Sequence, residues 1–384
     1  MAVRGVAVLG STGSIGRTTL EVIRAFPDRF RVVALTANRS AGALRSQVDE
    51  HRPELAALAE FDRADGSDAE RRIVFGREAV LEAATHPNVD IVVNALVGAA
   101  GLEPTLAALQ AGKRLALANK ESLVVGGPLV IEALNRGGGE LIPVDSEHSA
   151  VFQCLEGAAA GSAVRKIVLT ASGGAFRDRA LHELTTVSPA EALQHPTWSM
   201  GAKITVDSAT LVNKALEVVE AHYLFGLPYE RVDVVIHRQS IVHSLVEFCD
   251  GSVLAQLGHP TMAVPVLYAL AYPERLPFHT RSLDLAEVGA LTFEPVPLGR
   301  YPAFELGRQA ALAGGTAPAA FNAASEEAVA AFLGERIPFT AIAGVIEEVL
   351  SDHIVEQVTQ LEVVQRADGW AREAARSAVN RITN

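Results

Sequence analysis

The feature that most constrains the fold is a glycine-rich turn near the start of the chain. Residues 3–9 form an apolar, β-branched run, and Gly-Ser-Thr-Gly-Ser-Ile-Gly follows at positions 10–16, before a helical apolar pattern through residues 20–26. Strand, glycine turn and helix in this order present backbone N–H groups and a helix N-terminus to a pyrophosphate. The spacing G-x-x-G-x-x-G is a variant of the dinucleotide fingerprint. It therefore predicts a dinucleotide-binding βαβ unit, with an ordinary tight strand–helix turn as the alternative.

The end of the second predicted strand bears on which dinucleotide would bind. Residues 31–35 form that strand, and Thr-Ala-Asn-Arg-Ser follows at positions 36–40. NAD-preferring domains usually carry an acid here that bonds the ribose 2′-hydroxyl, whereas an arginine suits a 2′-phosphate. The segment contains Arg39 and no acid. It therefore favours NADP(H), although Arg39 could instead be a solvated charge before a helix.

Strands and helices then alternate to about residue 148, with strands expected at 91–96, 115–118 and 141–144. This rhythm indicates an open, mostly parallel sheet of the Rossmann type. Ligands of such sheets collect at the carboxyl ends of the strands. Two polar clusters, residues 119–122 and 145–148, follow two of these strands directly. We therefore expect both clusters to face a ligand.

Asp145 and Glu147 form a possible metal site within the second cluster. On an extended strand end, residues at i and i+2 point to the same side. Two carboxylates placed in this way suit a hard divalent cation with oxygen ligands. Two exposed acids in a turn are the alternative.

A second α/β domain is predicted after residue 148. Residues 165–170 read as a strand, and Ser172-Gly-Gly174 could wrap an anion with hydroxyl and backbone donors or be a plain turn. Residues 195–217 concentrate polar groups, read as a glycine-containing loop, an extended piece at 204–206 and a helix from about Ser208. On that helix Asn213, Lys214 and Glu217 would share one face. The alternative is a solvated helix with a polar pair.

Further strands are expected at 232–236 and 241–248, and a Pro- and Gly-spaced connector at about 273–301. Beyond it the apolar spacing is helical throughout. The predicted fold class is α/β, with an N-terminal Rossmann-like domain, a second α/β domain and a C-terminal helical domain. The expected boundaries are 1–148, 149–275, 276–302 for the connector and 303–384.

Composition narrows the possible partners. The 384-residue chain has a net charge of −12 and no basic run, which argues against nucleic acid or an anionic membrane. Its two cysteines cannot form a disulfide framework. With no predicted signal peptide or membrane span, we expect a soluble cytoplasmic protein. Only five of the 33 basic residues are lysine, so a lysine in a motif marks a place where a compact ammonium suits the site.

The motifs at residues 10–16, 119–122, 145–147, 172–174 and 195–217 together resemble those of the 1-deoxy-D-xylulose 5-phosphate reductoisomerase family. The likeness spans essentially the whole length, including the helical C-terminal part. It departs at Asn38-Arg39-Ser40, where the family often has Gly-Lys-Asn.

The resemblance implies a role for each motif. Residues implied to contact NADPH are Thr12, Gly13, Ser14, Ile15, Asn38, Arg39, Ser40, Asn119, Glu121 and Gly201. Residues implied to bind Mg²⁺, Mn²⁺ or Co²⁺ are Asp145, Glu147 and Glu217. Residues implied to contact the substrate, a phosphorylated sugar, are Lys120, Ser146, Glu147, Ser172, His195, Trp198, Ser208, Asn213, Lys214 and Glu217. The segment around His195, Trp198 and Met200 would form a lid, and Lys120, His195 and the three carboxylates would carry the chemistry.

The implied reaction converts 1-deoxy-D-xylulose 5-phosphate to 2-C-methyl-D-erythritol 4-phosphate. It comprises a metal-assisted retro-aldol and aldol rearrangement followed by reduction with NADPH, in the non-mevalonate route to isoprenoid precursors. A homodimer is also implied. An aspartate-semialdehyde type of dehydrogenase is a weaker alternative, because neither Cys154 nor Cys249 has the neighbourhood of a nucleophile. A non-catalytic NADP-binding sensor would need neither the carboxylates nor the lysines.

Overall fold

A computed structural model describes residues 2–60, 73–156 and 163–383. Contacts within the chain divide it into two compact units. The first unit comprises Met1–Ser122, Leu129–Ser146 and Thr261–Thr280. The second unit comprises Leu123–Pro128, Glu147–Pro260 and Arg281–Asn384.

The first half of the chain alternates strands and helices, as the glycine turn and the apolar runs predict. Its elements are β1 (Arg4–Leu9), α1 (Ser14–Ala25), β2 (Phe30–Ala37), α2 (Ala41–His51), β3 (Leu55–Leu58), β4 (Ile73–Phe75), α3 (Arg77–Thr85), β5 (Ile91–Asn94), α4 (Leu102–Gln110), β6 (Arg114–Leu117), α5 (Glu121–Gly137), β7 (Glu140–Pro143) and α6 (Ser146–Leu155). A 3₁₀ turn, Gly98–Gly101, precedes α4.

Within the described residues, β1 to β7 form one sheet in the order β4-β3-β2-β1-β5-β6-β7, with every neighbouring pair parallel. The strands are apolar and largely buried, apart from Val74 and Phe75 in the edge strand β4, because helices cover both faces of such a sheet. The sequence order reverses between β1 and β5, so the loop after β1 lies at the topological switch point. This confirms the predicted Rossmann-like fold and places the glycine turn where dinucleotides bind.

The second half begins with strands and ends with helices. Its elements are β8 (Val164–Ala171), α7 (Pro189–Ala192), α8 (Ala202–Thr210), α9 (Val212–Phe225), β9 (Val232–Ile236), β10 (Val242–Phe248), β11 (Val253–Leu257), α10 (Ala263–Ala271), α11 (Leu285–Val288), β12 (Glu294–Pro295), α12 (Pro302–Ala313), α13 (Ala317–Leu333), α14 (Ala341–Asp352) and α15 (Leu361–Thr383). Short 3₁₀ turns occupy Leu181–Thr186 and Tyr229–Arg231.

The second unit contains a mixed sheet, ordered β11-β10-β8-β9-β12 among the described residues. β8 and β9 are parallel, and the other neighbouring pairs are antiparallel. Helices α8, α9 and α12 to α15 share one apolar core, in which Phe304, Phe321, Phe332 and Ile346 are buried. Helices α8 and α9, which carry Ser208 and Glu217, are therefore packed directly into the C-terminal helical part.

Several elements were not predicted from the sequence, among them the short strands β3, β4 and β11. One prediction about local structure was wrong in the second unit. Residues 204–206 were expected to be extended, but they lie within α8. The β-branched Ile204, Thr205 and Val206 favour a strand, yet α8 buries Val206 and Ala209 in the helical core, and that packing overrides the local preference. The four-part division of the chain stays a prediction.

Among the helices of the described residues, none combines the length and the apolar character needed to cross a membrane.

Candidate active site

The glycine turn leaves the N-terminus of α1 open to a ligand. Gly10 has φ +80°, and a Cβ there would lie 2.6 Å from the carbonyl oxygen of Ala95, so a larger residue does not fit. A Cβ on Gly16 would lie 2.4 Å from the carbonyl oxygen of Gly10. Gly13 caps α1 without a side-chain hydrogen bond. The first N–H groups of the helix, from Ser14 onward, therefore remain available to an anionic group.

Arg39 lies just beyond the end of β2, where the sequence predicts it, and it has an acidic partner. Its Nη2 lies 2.5 Å from Oε2 of Glu60, and Asn38 donates a hydrogen bond of 3.3 Å to the same carboxylate. Glu60 follows β3, which pairs in parallel with β2. The sequence analysis missed this acid because it lies 21 residues from Arg39 in the chain.

Asn119 links two strand-end loops in the first unit. It is buried, and its Nδ2 donates to the carbonyl oxygens of Leu96 and Gly98, each at 3.0 Å, and to Glu121 at 3.1 Å. Its Oδ1 accepts hydrogen bonds from the backbone and the hydroxyl of Ser122. Because these partners use its amide group, Asn119 fixes the strand ends as a crosslink.

Lys120 and Asp145 form a largely buried ion pair at the carboxyl ends of β6 and β7. The expected strand geometry of Asp145 and Glu147 is wrong. Asp145 follows β7, but Ser146 begins α6 and Glu147 lies in the first turn of that helix. A carboxylate there gains from the partial positive charge of the helix N-terminus, which the extended reading did not foresee.

Glu217 is the centre of a buried charged cluster in the second unit. It is only 1% exposed, and its carboxylate accepts hydrogen bonds from Nδ2 of Asn213 at 2.5 Å and from Nζ of Lys214. Lys214 also donates to Oε1 of Glu147 at 3.1 Å. The prediction that Asn213, Lys214 and Glu217 share one face of a helix is confirmed on α9. Two carboxylates thus meet at one cation.

A second buried pair lies behind this cluster, and the sequence analysis did not find it. Nδ1 of His148 lies 3.2 Å from Oε2 of Glu220, and both side chains are inaccessible to solvent. Nε2 of His148 contacts the carbonyl oxygen of Glu217 at 2.9 Å. The Asp-x-Glu motif drew attention to residues 145–147, and nothing in the sequence connects His148 to a glutamate 72 positions later.

Ser172, Ser208 and His195 meet at the turn that follows β8. This turn, residues 172–179, is called the serine turn below. Nε2 of His195 lies 2.8 Å from Oγ of Ser172 and 3.2 Å from Oγ of Ser208, and the two hydroxyls are 3.4 Å apart. Three polar groups from a turn, a loop and α8 therefore converge on one point. The group formed by these three side chains is called the serine pocket below, and its hydroxyls can donate to an anion.

The contacts of His195 define its tautomer. Its Nδ1 accepts hydrogen bonds from the backbone N–H groups of Thr197, at 3.2 Å, and Trp198, at 2.9 Å. Nδ1 therefore carries no proton, and Nε2–H donates to the serine hydroxyls. Burial and the nearby charge of Arg177 lower the pKa of His195 to about 4. The ring is neutral at physiological pH.

The predicted lid residues lie between His195 and the start of α8. The ring centroid of Trp198 lies 6.2 Å from that of His243. Met200 precedes Gly201, which caps α8. This segment is tied to the pocket by the two backbone hydrogen bonds to His195.

The parallel sheet and its open glycine turn define a Rossmann-type nucleotide-dependent enzyme, and the hydroxyl-lined pocket suits an anionic substrate. Three family models match the chain. The first, 1-deoxy-D-xylulose 5-phosphate reductoisomerase, matches residues 6–127. Two C-terminal domain models of the same enzyme match residues 141–225 and 257–374. The chain belongs to the 1-deoxy-D-xylulose 5-phosphate reductoisomerase family.

Relatives and solved structures of this enzyme match the chain over nearly its whole length. The reductoisomerase of Geobacillus kaustophilus is 53% identical over 380 residues, which is 98% of this chain and 99% of that protein. A crystal structure of the enzyme with NADPH, fosmidomycin and magnesium has 42% identity and a TM-score of 0.93, covering 98% of both chains. The Zymomonas mobilis enzyme with NADPH has 42% identity and a TM-score of 0.90, covering 98% of this chain and 99% of that one.

The activity follows from family membership. This chain is a reductoisomerase that converts 1-deoxy-D-xylulose 5-phosphate into 2-C-methyl-D-erythritol 4-phosphate, a step in the synthesis of isoprenoid precursors.

Proposed function

We propose that this reaction takes place at the serine pocket and at the charged cluster of Asn213, Lys214 and Glu217, which provide the polar groups. The carrying observation is the convergence of Ser172, Ser208 and His195 within 3.4 Å of one another. A phosphate needs several donors at one point, and here two hydroxyls and an Nε2–H group supply them. The phosphate of the substrate would bind at this pocket, with Asn213 and Lys214 on the adjoining oxygens.

The cofactor would be NADPH, which supplies the hydride for the reduction step. Its pyrophosphate would lie against Thr12, Gly13, Ser14 and Ile15, where the N–H groups of Ser14 and Ile15 at the open N-terminus of α1 would donate to it. Its 2′-phosphate would contact Asn38, Arg39 and Ser40, and Asn119, Glu121 and Gly201 would contact the remainder of the cofactor. The fit rests on Gly10 and Gly16, where a Cβ would collide with backbone.

A divalent cation, Mg²⁺ or Mn²⁺ and also Co²⁺, would bind to Asp145, Glu147 and Glu217. The residues fit such an ion because Glu147 and Glu217 converge on the ammonium of Lys214, so this position accepts positive charge. When bound, the cation stabilises negative charge on the neighbouring substrate oxygens. The ammonium of Lys214 would then interact with the anionic substrate. Asp145 orients Lys120 through their ion pair, and Lys120 and Ser146 would contact the carbons that react.

The rearrangement would break and re-form one carbon–carbon bond of the substrate, by retro-aldol cleavage and aldol addition, and give a branched aldehyde that is then reduced. Both steps require that water stay out of the site. His195, Trp198 and Met200 would provide the lid, since the backbone of this segment is tied to His195. His195 is neutral and would act as a hydrogen-bond donor to the phosphate region.

The test is NADPH oxidation with 1-deoxy-D-xylulose 5-phosphate, measured with and without a chelator. Full metal removal should abolish turnover, and added Mg²⁺ or Mn²⁺ should restore it. Glu217→Gln should lower kcat by at least about a hundredfold, because it removes a charge from the ligand set, while the NADPH dissociation constant measured by fluorescence stays unchanged. Glu230→Gln, at an exposed position, is the matched control. Turnover that survives metal removal would contradict the metal assignment.

Each of the four predicted segments would have its own role. Residues 1–148 would bind the cofactor, residues 149–275 would bind metal and substrate, and residues 276–302 would connect these to the helical domain 303–384. We also propose that the enzyme is a cytoplasmic homodimer. Support for the dimer comes from β11, an edge strand in the described sheet, which exposes Val253 and Leu254.

A further inference from the structure

The backbone carbonyl groups of the serine turn are held by side chains from two sources. Arg177, within the turn, donates from Nη1 to the carbonyl oxygen of Ser172 at 2.8 Å. The hydroxyl of Tyr301 donates to the carbonyl oxygen of Gly173 at 3.1 Å. Nη2 of Arg300 donates to the carbonyl oxygens of Phe176 and Arg179, at 2.6 and 2.7 Å. Four carbonyl groups of one short turn are thus fixed by three side chains.

These hydrogen bonds matter for anion binding because a carbonyl oxygen repels a phosphate, whereas N–H and O–H groups attract it. Gly173 and Gly174 have φ values of +85° and +74°, and glycine backbones have many accessible conformations. A turn with two adjacent glycines therefore needs outside contacts to stay in one conformation. Tyr301 bonds to the first of these glycines.

Packing alone does not hold this turn. A cavity of about 160 Å³ lies beside it, and Phe176, Ala209, Arg300, Tyr301 and Phe339 are among its lining residues. Phe176 packs edge-on against Phe339, with ring centroids 5.0 Å apart, and the hydrogen bonds of Arg300 and Tyr301 hold the carbonyl groups of the turn. Both residues immediately precede α12.

Tyr301 is well suited to this role. Its side chain is 6% exposed and belongs to the apolar core of the second unit. Burial raises the pKa of Tyr301, so its hydroxyl remains protonated and a donor. The guanidinium of Arg300 lies 5.8 Å from the centre of its ring, which orders both side chains together.

We propose that Tyr301 and Arg300 are positioning residues that hold the serine turn in the conformation that binds the phosphate of the substrate. They act through Ser172 and the glycines and do not touch the substrate. This inference rests on the proposed role of Ser172. It assigns a function in substrate binding to the segment before α12, which is distant in sequence from every motif of the active site.

The central experiment compares Tyr301→Phe with Tyr229→Phe, steady-state kinetics being measured for both. Tyr229 is a half-buried tyrosine of the same unit and lies outside the serine turn. Tyr301→Phe removes one hydrogen bond, so the KM for 1-deoxy-D-xylulose 5-phosphate should rise by about threefold to tenfold. Its kcat and its KM for NADPH should change by less than about twofold, since neither depends on the carbonyl group of Gly173. Tyr229→Phe should leave all three constants unchanged.

Inorganic phosphate serves as a second probe, because it can occupy the serine pocket without the rest of the substrate. Its competitive inhibition constant should rise in Tyr301→Phe by the same factor as KM. Arg300→Met should raise both constants as well, and it carries the test if Tyr301→Phe does not fold. Loss of thermal stability with unchanged KM and unchanged phosphate inhibition would show a purely structural role and overturn the proposal.

A double-mutant cycle with Ser172→Ala separates this inference from the proposed function. If Tyr301 acts through the turn, Tyr301→Phe should change KM much less in the Ser172→Ala background than in the native protein. Additive effects would overturn the inference. A Ser172→Ala variant with native KM would instead refute the phosphate site itself. A raised KM in Ser172→Ala with a native KM in Tyr301→Phe would refute only the positioning role.

Discussion

The protonation state of His195 follows from what its two ring nitrogens contact. Two backbone N–H groups point at Nδ1, which is satisfied only while that nitrogen is unprotonated. Protonation would place an N–H group against two other N–H groups, inside a half-buried pocket and near Arg177. Each of these factors opposes the imidazolium form. The loop formed by residues 195–200 therefore fixes both the charge and the orientation of the ring.

We predict that His195 stays neutral, with its proton on Nε2, down to about pH 4. Its pKa is below the ordinary value of 6.5, so the unfolded chain takes up the proton first as pH falls. This group should therefore lower the free energy of unfolding as pH falls from about 6.5 to about 4. Two-dimensional NMR of protein with ¹⁵N-labelled histidine should show a protonation midpoint for His195 near pH 4. The variant His195→Gln assigns the signal. A midpoint between pH 6 and 7 would contradict it.

The partner of Arg39 also affects the cofactor. Glu60 forms an ion pair with the guanidinium of Arg39, which the 2′-phosphate of NADPH would need, and both side chains are mostly exposed to solvent. Exposed ion pairs contribute only about 0 to 1 kcal/mol, so Glu60 should compete weakly with the cofactor. The end of β2 has no acid of its own, and Glu60, which follows β3, supplies a carboxylate at this position.

We predict that Glu60→Gln lowers the KM for NADPH by up to about fivefold, because it removes that competitor. Arg39→Ala should raise the KM for NADPH while leaving the KM for NADH almost unchanged. Both values come from steady-state assays at saturating sugar phosphate, with Glu54→Gln as the control for an acid paired with a different arginine. Equal effects of Arg39→Ala on the two cofactors would show that Arg39 does not contact the 2′-phosphate.

Among the elements, the serine turn shows how closely backbone segments approach at the site. A Cβ on Gly174 would lie 2.5 Å from the Cα of Ala209 and from the carbonyl oxygen of Ser208. The turn can therefore meet α8 only through glycine. This contact brings the hydroxyls of Ser172 and Ser208 together.

We predict that Gly174→Ala lowers the free energy of unfolding by more than about 3 kcal/mol, since it combines a positive φ with an overlap against backbone. Gly226→Ala is the matched control. Gly226 caps α9 with φ +65° and has nothing within 4 Å of a Cβ, so it tests backbone strain alone, worth about 1 to 2 kcal/mol. Urea unfolding followed by circular dichroism measures both. Equal losses would show that the close approach to α8 is not tight.

Sequence reasoning succeeded where the pattern is local. The glycine turn, the strand ends at Asn119 and Asp145, and the helical face of Asn213 and Glu217 each lie within about twenty residues of chain. It failed where packing or distant residues decide. Residues 204–206 of α8 were read as extended because their β-branched side chains favour a strand, and the burial of α8 in the helical core cannot be seen in the sequence.

At the scale of the whole molecule, the partners that sequence reasoning missed are separated by long stretches of chain. Glu220 meets His148 from 72 positions away, and Tyr301 meets Gly173 from 128 positions away. Such pairs depend on the order of strands in the sheets, on the crossings of helices and on the path of the connector. The motifs contain the groups that we propose to react, and the tertiary fold supplies the residues that hold them.

The proposed dimer is tested at the exposed edge of the second sheet. Leu254→Lys adds a charge to β11, so it should convert the dimer to a monomer in light scattering coupled to size-exclusion chromatography. Leu298→Lys is the control, because Leu298 is 98% exposed and lies outside the strand. A Leu254→Lys variant that stays dimeric would exclude β11 as the interface.

Leu211 joins α8 to α9 in a left-handed conformation, with φ +57°. Ser208 lies three residues before it and Lys214 three residues after it, so one strained joint sets the separation between the serine pocket and the charged cluster. Two helices embedded in one core make that separation rigid. The enzyme should therefore discriminate between substrates by the distance between their phosphate and their reacting carbons. An analogue with one more methylene group between its phosphate and its reacting carbons should bind at the phosphate end but turn over far more slowly.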